Sequence, residues 1–158
     1  MTRTVIVYYS KHHGNTEKIA HVMATALDDA RLVNLSENET AIPNVTDYDL
    51  IGFGSGIYWG KHDKRLLNLV DGLPVQNGKK AFIFSTSGMR AGRILNNFNK
   101  RILRKLKEKG FSIVGEFSCR GWDSIGPLKL IGGVHKGKPD ERDLEAAADF
   151  ARGLQAHF

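Results

Sequence analysis

The sequence predicts an α/β protein in which a doubly wound parallel β-sheet carries helices on both faces. Short β-branched or apolar runs alternate with segments whose apolar residues recur at helical spacing, and this alternation favours parallel strands joined by helices. Right-handed crossovers then leave few arrangements of the five strands. No composition break, internal repeat or low-complexity segment divides the 158 residues, so we expect a single domain over residues 1–158.

The first half of the chain contains three predicted strands. Residues 5–9 are apolar and β-forming, as in a strand buried in the middle of a parallel sheet, and further runs lie at 31–35 and 49–54. A helix of about four turns is predicted after the first strand, because apolar residues recur there at helical spacing: Ile19, Val22, Met23, Ala26 and Leu27. Residues 36–47 are polar and predict a loop, and the glycines that follow residue 51 predict that the third strand ends in a turn.

The second half contains two predicted strands, at 80–85 and 111–117, and three helices. The first helix has apolar positions from Leu66 to Leu73 and is ended by Gly72 and Pro74. The second has an apolar stripe from residue 94 to 106, a basic opposite face, and a stop at Gly110. Residues 121–139 are irregular and rich in glycine, and residues 140–156 predict a last helix with an acidic first turn, which the helix dipole favours.

Composition and charge narrow the class of protein. The hydrophobic content of 41% and charged content of 25% are typical of globular proteins, and one cysteine cannot form an internal disulfide. The N-terminal apolar run has no signal-peptide pattern and is too short to span a bilayer, so we expect a cytoplasmic protein without a transmembrane segment.

The net charge of +6 is unevenly distributed. Residues 61–158 carry nineteen Lys and Arg against ten Asp and Glu, whereas residues 1–60 carry four against seven. This excess fits a solvated basic face, or a docking surface for an acidic partner, an anionic membrane surface or nucleic acid. No nucleic-acid-binding motif accompanies the charge, so we expect no nucleic-acid partner.

The loop after the first predicted strand is the strongest candidate for a ligand site. It leads from a strand into a helix, whose N-terminus presents N–H groups and a partial positive charge to an anion. Gly14 would let the backbone approach an oxyanion closely. A helix start capped by Asn15 or Thr16 is the structural alternative, yet it would need only one such residue. Beside Gly14, the loop offers many more polar side chains: Ser10, Lys11, His12, His13, Asn15 and Thr16. The sequence therefore predicts a phosphate site.

Three further loops follow predicted strands, and all four should meet at the carboxyl edge of the sheet, where open α/β sheets bind ligands. The loop after the third strand places two adjacent aromatics between glycines, where they could stack on a ligand ring or simply pack on the surface: Gly56, Ile57, Tyr58, Trp59, Gly60 and Lys61, preceded by Ser55. The other two loops offer uncharged donors and another aromatic: Thr86, Ser87 and Gly88, then Gly121, Trp122 and Asp123.

Several other classes of protein do not fit these residues. The loop after the first strand has only Gly14 where a dinucleotide-binding fold needs Gly-x-Gly-x-x-Gly, and the chain has no P-loop motif. A receiver domain needs carboxylates where strands one and three end, and a hydrolase elbow Gly-x-Ser-x-Gly is absent. Composition does not exclude a Ser/His/Asp triad. Cys119 fits an inert buried thiol better than a nucleophile, and the histidine spacing favours no metal site.

These residues resemble the flavodoxin family over nearly the whole chain. Val-Tyr-Tyr-Ser-x-x-x-Gly-Asn-Thr at 7–16 is similar to the family's phosphate loop, Tyr-Trp-Gly at 58–60 to its second flavin loop, and Thr-Ser-Gly at 86–88 to its third. The resemblance implies a three-layer flavodoxin-like fold, a five-stranded sheet in the order 2-1-3-4-5, and non-covalent FMN. By position it implies that Ser10, Asn15 and Thr16 hold the phosphate. It also implies that Tyr58 or Trp59 stacks on the isoalloxazine and that Gly60 lies near flavin N5.

The chain departs from the family pattern in three ways. Lys11, His12 and His13 lengthen the phosphate loop by one residue, which resembles the flavodoxin-like protoporphyrinogen dehydrogenases, although their long insertion near the fifth strand is not evident. Lys61 stands where a flavodoxin often has an acidic residue, and the chain is basic whereas typical flavodoxins are acidic. A cation at Lys61 should stabilise the fully reduced, anionic flavin, so we predict a less negative potential for the second electron than in acidic relatives.

The sequence thus favours an FMN-binding electron-transfer protein whose own side chains perform no catalysis. Its expected partners are redox proteins, a reductase and an acceptor enzyme, that dock through an acidic surface. Two alternatives remain open at this point. One is an FMN-dependent oxidoreductase acting on a quinone, a porphyrinogen or NAD(P)H, and the other is a flavodoxin-fold scaffold without flavin.

Overall fold

In the computed structural model, the described residues are 1–11, 14–36, 44–58, 60–87, 98–120, 137 and 139–158, with the backbone alone at 58 and 120. The strands are β1 (Thr4–Tyr9), β2 (Arg31–Asn34), β3 (Leu50–Tyr58), β4 (Lys61–His62), β5 (Lys80–Ser87) and β6 (Ser112–Arg120). The helices are α1 (Asn15–Ala26), α2 (Lys64–Gly72), α3 (Lys100–Glu108) and α4 (Glu141–Leu154), with short 3-10 turns at Val45–Asp47 and Gln155–His157.

The sheet is parallel and runs in the order β2-β1-β3-β5-β6. This is the predicted order 2-1-3-4-5 when the five parallel strands alone are numbered, so the α/β fold class and the strand order are confirmed. The difference from the prediction is β4, a two-residue strand that pairs antiparallel with the end of β3. No helix in the described part of the chain is long and apolar enough to cross a membrane.

Helices cover both faces of the sheet and divide the core into two clusters. On one face, α2 and α3 bury Leu66, Val70, Ile102 and Leu106 against the sheet. On the other face, α1 and α4 bury a second set: Ile19, Met23, Ala147 and Ala151. The apolar periodicity of these helices is therefore the cause of the layering, because each helix turns one stripe toward the strands.

The prediction that strands three, four and five end at residues 54, 85 and 117 was wrong at their carboxyl ends. All three continue, to Tyr58, Ser87 and Arg120. Parallel pairing extends through Gly56 opposite Thr86 and Thr86 opposite Cys119, so these backbone groups stay within the sheet. Polar and glycine residues read as loop signals, but neighbouring strands hold them in extended conformation.

The glycines of β3 have a packing role rather than a turn role. A Cβ at Gly52 would lie 2.4 Å from Phe82 Cζ, and a Cβ at Gly54 would lie 2.2 Å from Phe84 Cζ. Both rings are fully buried, and they stack with centroids 6.2 Å apart. The glycines therefore leave the space over β3 that the two phenylalanine rings of β5 occupy.

We expect Gly54→Ala to destabilise the fold by about 1–3 kcal/mol, because the added methyl group overpacks a fully buried ring. The free energy of urea unfolding measures this directly. The matched control is Gly72→Ala, at a position where a Cβ meets nothing within 4 Å, so its stability should stay equal or rise slightly. Equal stability losses in the two variants would contradict the packing role of Gly54.

Candidate functional site

The loop between β1 and α1 is built around a left-handed glycine. Gly14 has φ 64° and ψ 26° and is the N-cap residue of α1, without a side-chain cap of its own. The alternative in which Asn15 or Thr16 caps the helix is wrong, since both are buried inside the first turn. Ser10 supplies the cap instead: its Oγ accepts a hydrogen bond of 3.1 Å from the Glu17 backbone N–H. Ser10 thus lies against the first turn of the helix.

Side chains of this loop contact the end of β5 directly. The hydroxyls of Thr16 and Thr86 are 2.8 Å apart and buried, so the two loops predicted to converge are joined by a hydrogen bond. The register places Tyr9 opposite Ser55, and Gly56 opposite Thr86, along the same edge of the sheet. Ser10, Thr16, Gly56 and Thr86 therefore lie together at the carboxyl edge, as the sheet topology requires.

The segment 55–61, predicted as a loop, is instead a hairpin. Ser55, Gly56 and Ile57 lie within β3, and Tyr58 pairs with Lys61 of β4. The connection is two residues long, and Gly60 in it has φ 77°, which suits a tight hairpin turn. The extra antiparallel pairing satisfies backbone groups beyond the point where β1 ends. The hairpin therefore projects past the sheet edge, with Gly60 and Lys61 near its tip.

A buried polar network, which the sequence did not indicate, holds this hairpin. His62 is 2% exposed, with Nδ1 2.8 Å from Ser55 Oγ and Nε2 2.7 Å from Asn99 Oδ1. Asn99 Nδ2 donates to the Glu116 carboxylate at 3.3 Å, and the Asp63 backbone N–H donates to Ser55 Oγ at 3.0 Å. The network thus connects β3, β4, β6 and the residue before α3.

The polarity of the network can be assigned from its ends. A carboxylate only accepts, so the amide nitrogen of Asn99 faces Glu116 and its oxygen faces His62. His62 Nε2 then carries the proton, and Nδ1 is an acceptor. Ser55 has one hydroxyl proton, which is shared between His62 Nδ1 at 2.8 Å and the Gly56 carbonyl oxygen at 2.9 Å. Burial lowers the pKa of His62 from 6.5 to about 4, and the bond to Asn99 opposes this only in part. The imidazole is therefore neutral near pH 7.

The described residues include most of the predicted site but not all of it. Seven described residues of the predicted site are buried: Ser10, Asn15, Thr16, Gly56, Ile57, Thr86 and Ser87. Gly14 is partly buried, and Lys11, Gly60 and Lys61 are exposed beside them. The remaining predicted residues lie outside what the structure describes: His12, His13, Trp59, Gly88, Gly121, Trp122 and Asp123, together with the side chain of Tyr58. Cys119 lies in β6 at intermediate burial and packs against the second core cluster.

The fold and this edge define a class of protein. A parallel sheet in this order, with a polar glycine loop after β1 and a hairpin after the neighbouring strand β3, is a flavodoxin-like arrangement. The chain belongs to the flavodoxin-domain family, whose family model matches residues 6–119. The matched range includes both the β1–α1 loop and the β3–β4 hairpin.

The chain is similar to one relative in sequence and to solved structures in fold. An uncharacterized protein of Methanocaldococcus jannaschii is 45% identical over 152 residues, covering 96% of this chain and 97% of its own. Among solved structures, oxidised flavodoxin 1 from Bacillus cereus superposes with a TM-score of 0.72 at 18% identity and 99% coverage of both chains. Oxidised flavodoxin 2 from the same organism gives 0.70 at 21% identity, with 98% of this chain and 99% of its own covered. At such identities the structural likeness shows the fold alone.

Proposed function

We propose that this protein binds one FMN without a covalent bond and carries electrons between redox partner proteins. The observation that supports this most strongly is the direct junction of three flavin-loop candidates at one sheet edge. Thr16 of the first loop bonds to Thr86 of the third, while Ser55, at the base of the hairpin, pairs with Tyr9 just before the first. FMN supplies the redox chemistry when bound, and the protein supplies binding, orientation and electrostatics.

The donor set of the β1–α1 loop suits a phosphate group. Hydroxyls at Ser10 and Thr16 lie beside the N-terminus of a 12-residue helix, where backbone N–H groups and the helix dipole favour an anion. Gly14 holds the left-handed conformation that lets the backbone curve around such a group. Ser10, Asn15 and Thr16 would hold the phosphate. Lys11 would add positive charge beside it, as would His12 and His13 when protonated.

The hairpin and the end of β5 suit the flavin ring. Gly60 lies at the tip of the hairpin, where a Cβ would meet nothing within 4 Å, so a planar ring could approach its backbone closely. Tyr58 or Trp59 would stack on the ring. Thr86, Ser87 and Gly88 would provide uncharged donors to its polar edge, and the residues that follow β6 would border it: Gly121, Trp122 and Asp123.

Stepwise anaerobic reduction of the FMN-loaded protein tests whether it is an electron carrier. We expect a flavin spectrum that bleaches in two one-electron stages, with negligible turnover when NADH, NADPH, a quinone or a porphyrinogen is supplied without a partner protein. Rapid turnover with one of these substrates would show an oxidoreductase instead. A chain that takes up no FMN would be a scaffold of the same fold.

Lys61 should raise the potential for the second electron. Lys61 lies near the tip of the hairpin, beside Gly60, and its cation should favour the anionic reduced ring by about 1 kcal/mol at intermediate dielectric. That energy corresponds to roughly 40 mV for one electron. Lys61→Ala should therefore make this potential more negative, as redox titration measures. Lys80→Ala, at the opposite end of the sheet, is the control and should leave it unchanged. A strongly negative potential that does not move in Lys61→Ala would contradict the prediction.

A further inference from the structure

We propose that a groove between the β3–β4 hairpin and α3 is the docking surface for a redox partner protein with an acidic face. We call it the basic groove. Its cationic residues are Lys61, Lys100, Arg101, Arg104 and Lys107. This inference rests on the proposed electron-carrier function, because it places the partner beside the hairpin at which the flavin ring would be exposed.

The basic groove is a large, open feature with a covered apolar floor. Its volume is about 930 Å³, and Gly60 and Lys61 line it together with the exposed side of α3. Phe98 and Leu103 form the floor, but Phe98 is only 4% exposed and Leu103 is partly buried. Among the described lining residues, no ring is exposed enough for a nucleotide base to stack on. The accessible walls are instead long cationic side chains, which suit a broad protein surface of opposite charge.

The positive charge of the groove is not neutralised within the described residues. Glu108 is the acidic side chain that lines it, and it pairs with Arg104 at 3.9 Å, both being about 70% exposed. No described acidic side chain forms an ion pair with Lys61, Lys100, Arg101 or Lys107. The groove therefore carries a net positive charge.

Lys105, on the same helix, is neutralised by an ion pair, unlike the lysines of the groove. Lys105 faces α2 and binds both carboxylate oxygens of Asp71, at 2.6 and 2.8 Å. Lys100, Arg104 and Lys107 lie on the adjacent, solvent-facing stripe, and span about 10 Å along the helix axis. The stripe has the length and charge to meet a row of carboxylates on a partner, with which it would form weak, salt-sensitive contacts.

Docking at the basic groove would make the rate of electron transfer depend on the charge of the partner and on the salt concentration. One electron would pass from the fully reduced flavin to a ferric partner centre, which becomes ferrous, and each event transfers a single electron. Complementary charge raises encounter rates by about 10- to 1000-fold, and the gain falls as salt screens it. A surface that guides the partner to the hairpin would show this signature.

The test uses a rubredoxin of negative net charge, in its iron form as electron acceptor and in its zinc form as a redox-silent binding probe. The groove variant is Lys100→Glu, Arg104→Glu and Lys107→Glu together. The matched control is Arg3→Glu, Arg142→Glu and Arg152→Glu, an equal charge change at exposed positions outside the groove. Thermal melts check that both variants are folded.

We expect the groove variant to weaken zinc-rubredoxin binding, measured by calorimetry, at least about tenfold. The control should change it by less than about threefold, and reduction of iron rubredoxin should follow the same ranking. In the natural chain, the rate should fall steeply as salt is raised. Equal losses in both variants, or a rate independent of salt in the natural chain, would overturn the proposal.

The binding measurement tests the docking surface, and the redox measurement tests the electron-carrier function, so the two proposals can fail separately. Zinc rubredoxin that binds through the groove of a chain unable to take up FMN would uphold the docking surface and overturn the electron-carrier function. A chain that takes up FMN and cycles through two one-electron stages, yet binds zinc rubredoxin equally in both variants, would uphold the function and overturn the docking surface.

Discussion

His62→Gln should flatten the dependence of stability on pH between about 6.5 and 4. In the unfolded chain the imidazole takes up a proton below pH 6.5, whereas burial in the folded protein lowers its pKa to about 4. The unfolded state therefore binds more protons in this window. As a result, the free energy of unfolding keeps its full value above pH 6.5 and decreases as the pH falls toward 4. At 1.36 kcal/mol per pKa unit, the difference between the unfolded and folded pKa of His62 corresponds to about 3 kcal/mol in the free energy of unfolding.

Urea unfolding at a series of pH values measures this contribution as the difference between natural chain and variant. The glutamine amide can still donate to Asn99, but the bond to Ser55 is lost, so we also expect a cost of about 1 kcal/mol at pH 7.5. His21→Gln is the matched control, since that side chain is 61% exposed and its Nε2 lies 3.9 Å from the Glu17 carboxylate at the surface. Parallel pH profiles for the natural chain and His62→Gln would contradict the assigned network.

Thr16→Val should weaken FMN binding by about 10- to 100-fold. Valine keeps the shape of threonine but removes the hydroxyl, which would donate to the phosphate and now contacts Thr86 at 2.8 Å. A hydrogen bond to a charged group contributes about 1.5–3 kcal/mol, and each 1.4 kcal/mol is tenfold in affinity. Quenching of flavin fluorescence in a titration of the apoprotein gives the dissociation constant.

The same helix offers a control of identical chemistry. Thr25 lies near the other end of α1, where its hydroxyl bonds the His21 carbonyl oxygen at 3.2 Å and is exposed. Thr25→Val removes a hydroxyl from α1 without touching the loop, so FMN affinity should remain that of the natural chain. If both variants bind FMN equally well, Thr16 has no role in holding the phosphate.

The sequence predicted the fold because periodicity and topology act over whole elements. The apolar stripes of α1 and α3 and the buried run of β1 determine which faces pack, and right-handed crossovers then restrict the strand order. The strand ends were less predictable. Gly54 and Gly56 read as turn residues, but parallel neighbours extend β3, and Phe84 of β5 requires the absence of a side chain at Gly54.

The sequence predicted which residues form the candidate site, but not which of their side chains contact one another. Loop residues such as Ser10 and Thr86 could be selected because all strand ends of a parallel sheet share an edge. Their contacts could not, since the 2.8 Å bond from Thr16 to Thr86 joins residues seventy positions apart. His62 gave no signal, because a buried histidine is identified only by the distant groups that surround it, here Ser55 and Asn99.

The sequence predicted the basic face of α3 from its excess of Lys and Arg, but it did not predict which of these side chains are paired with carboxylates. Only the fold shows that Lys105 is neutralised by Asp71 while Lys100 and Lys107 line a groove with Lys61. A count of charges assigns the same value to each of these lysines.

The central claim is that this edge binds a flavin through its phosphate, and one measurement tests it most directly. The apoprotein is titrated with FMN and, separately, with riboflavin, which has the same ring without the phosphate. We predict one FMN per chain, quenched flavin fluorescence, and riboflavin binding at least about tenfold weaker, as expected when a charged group loses its hydrogen bonds. Equal binding of the two compounds, or binding of neither, would contradict the account.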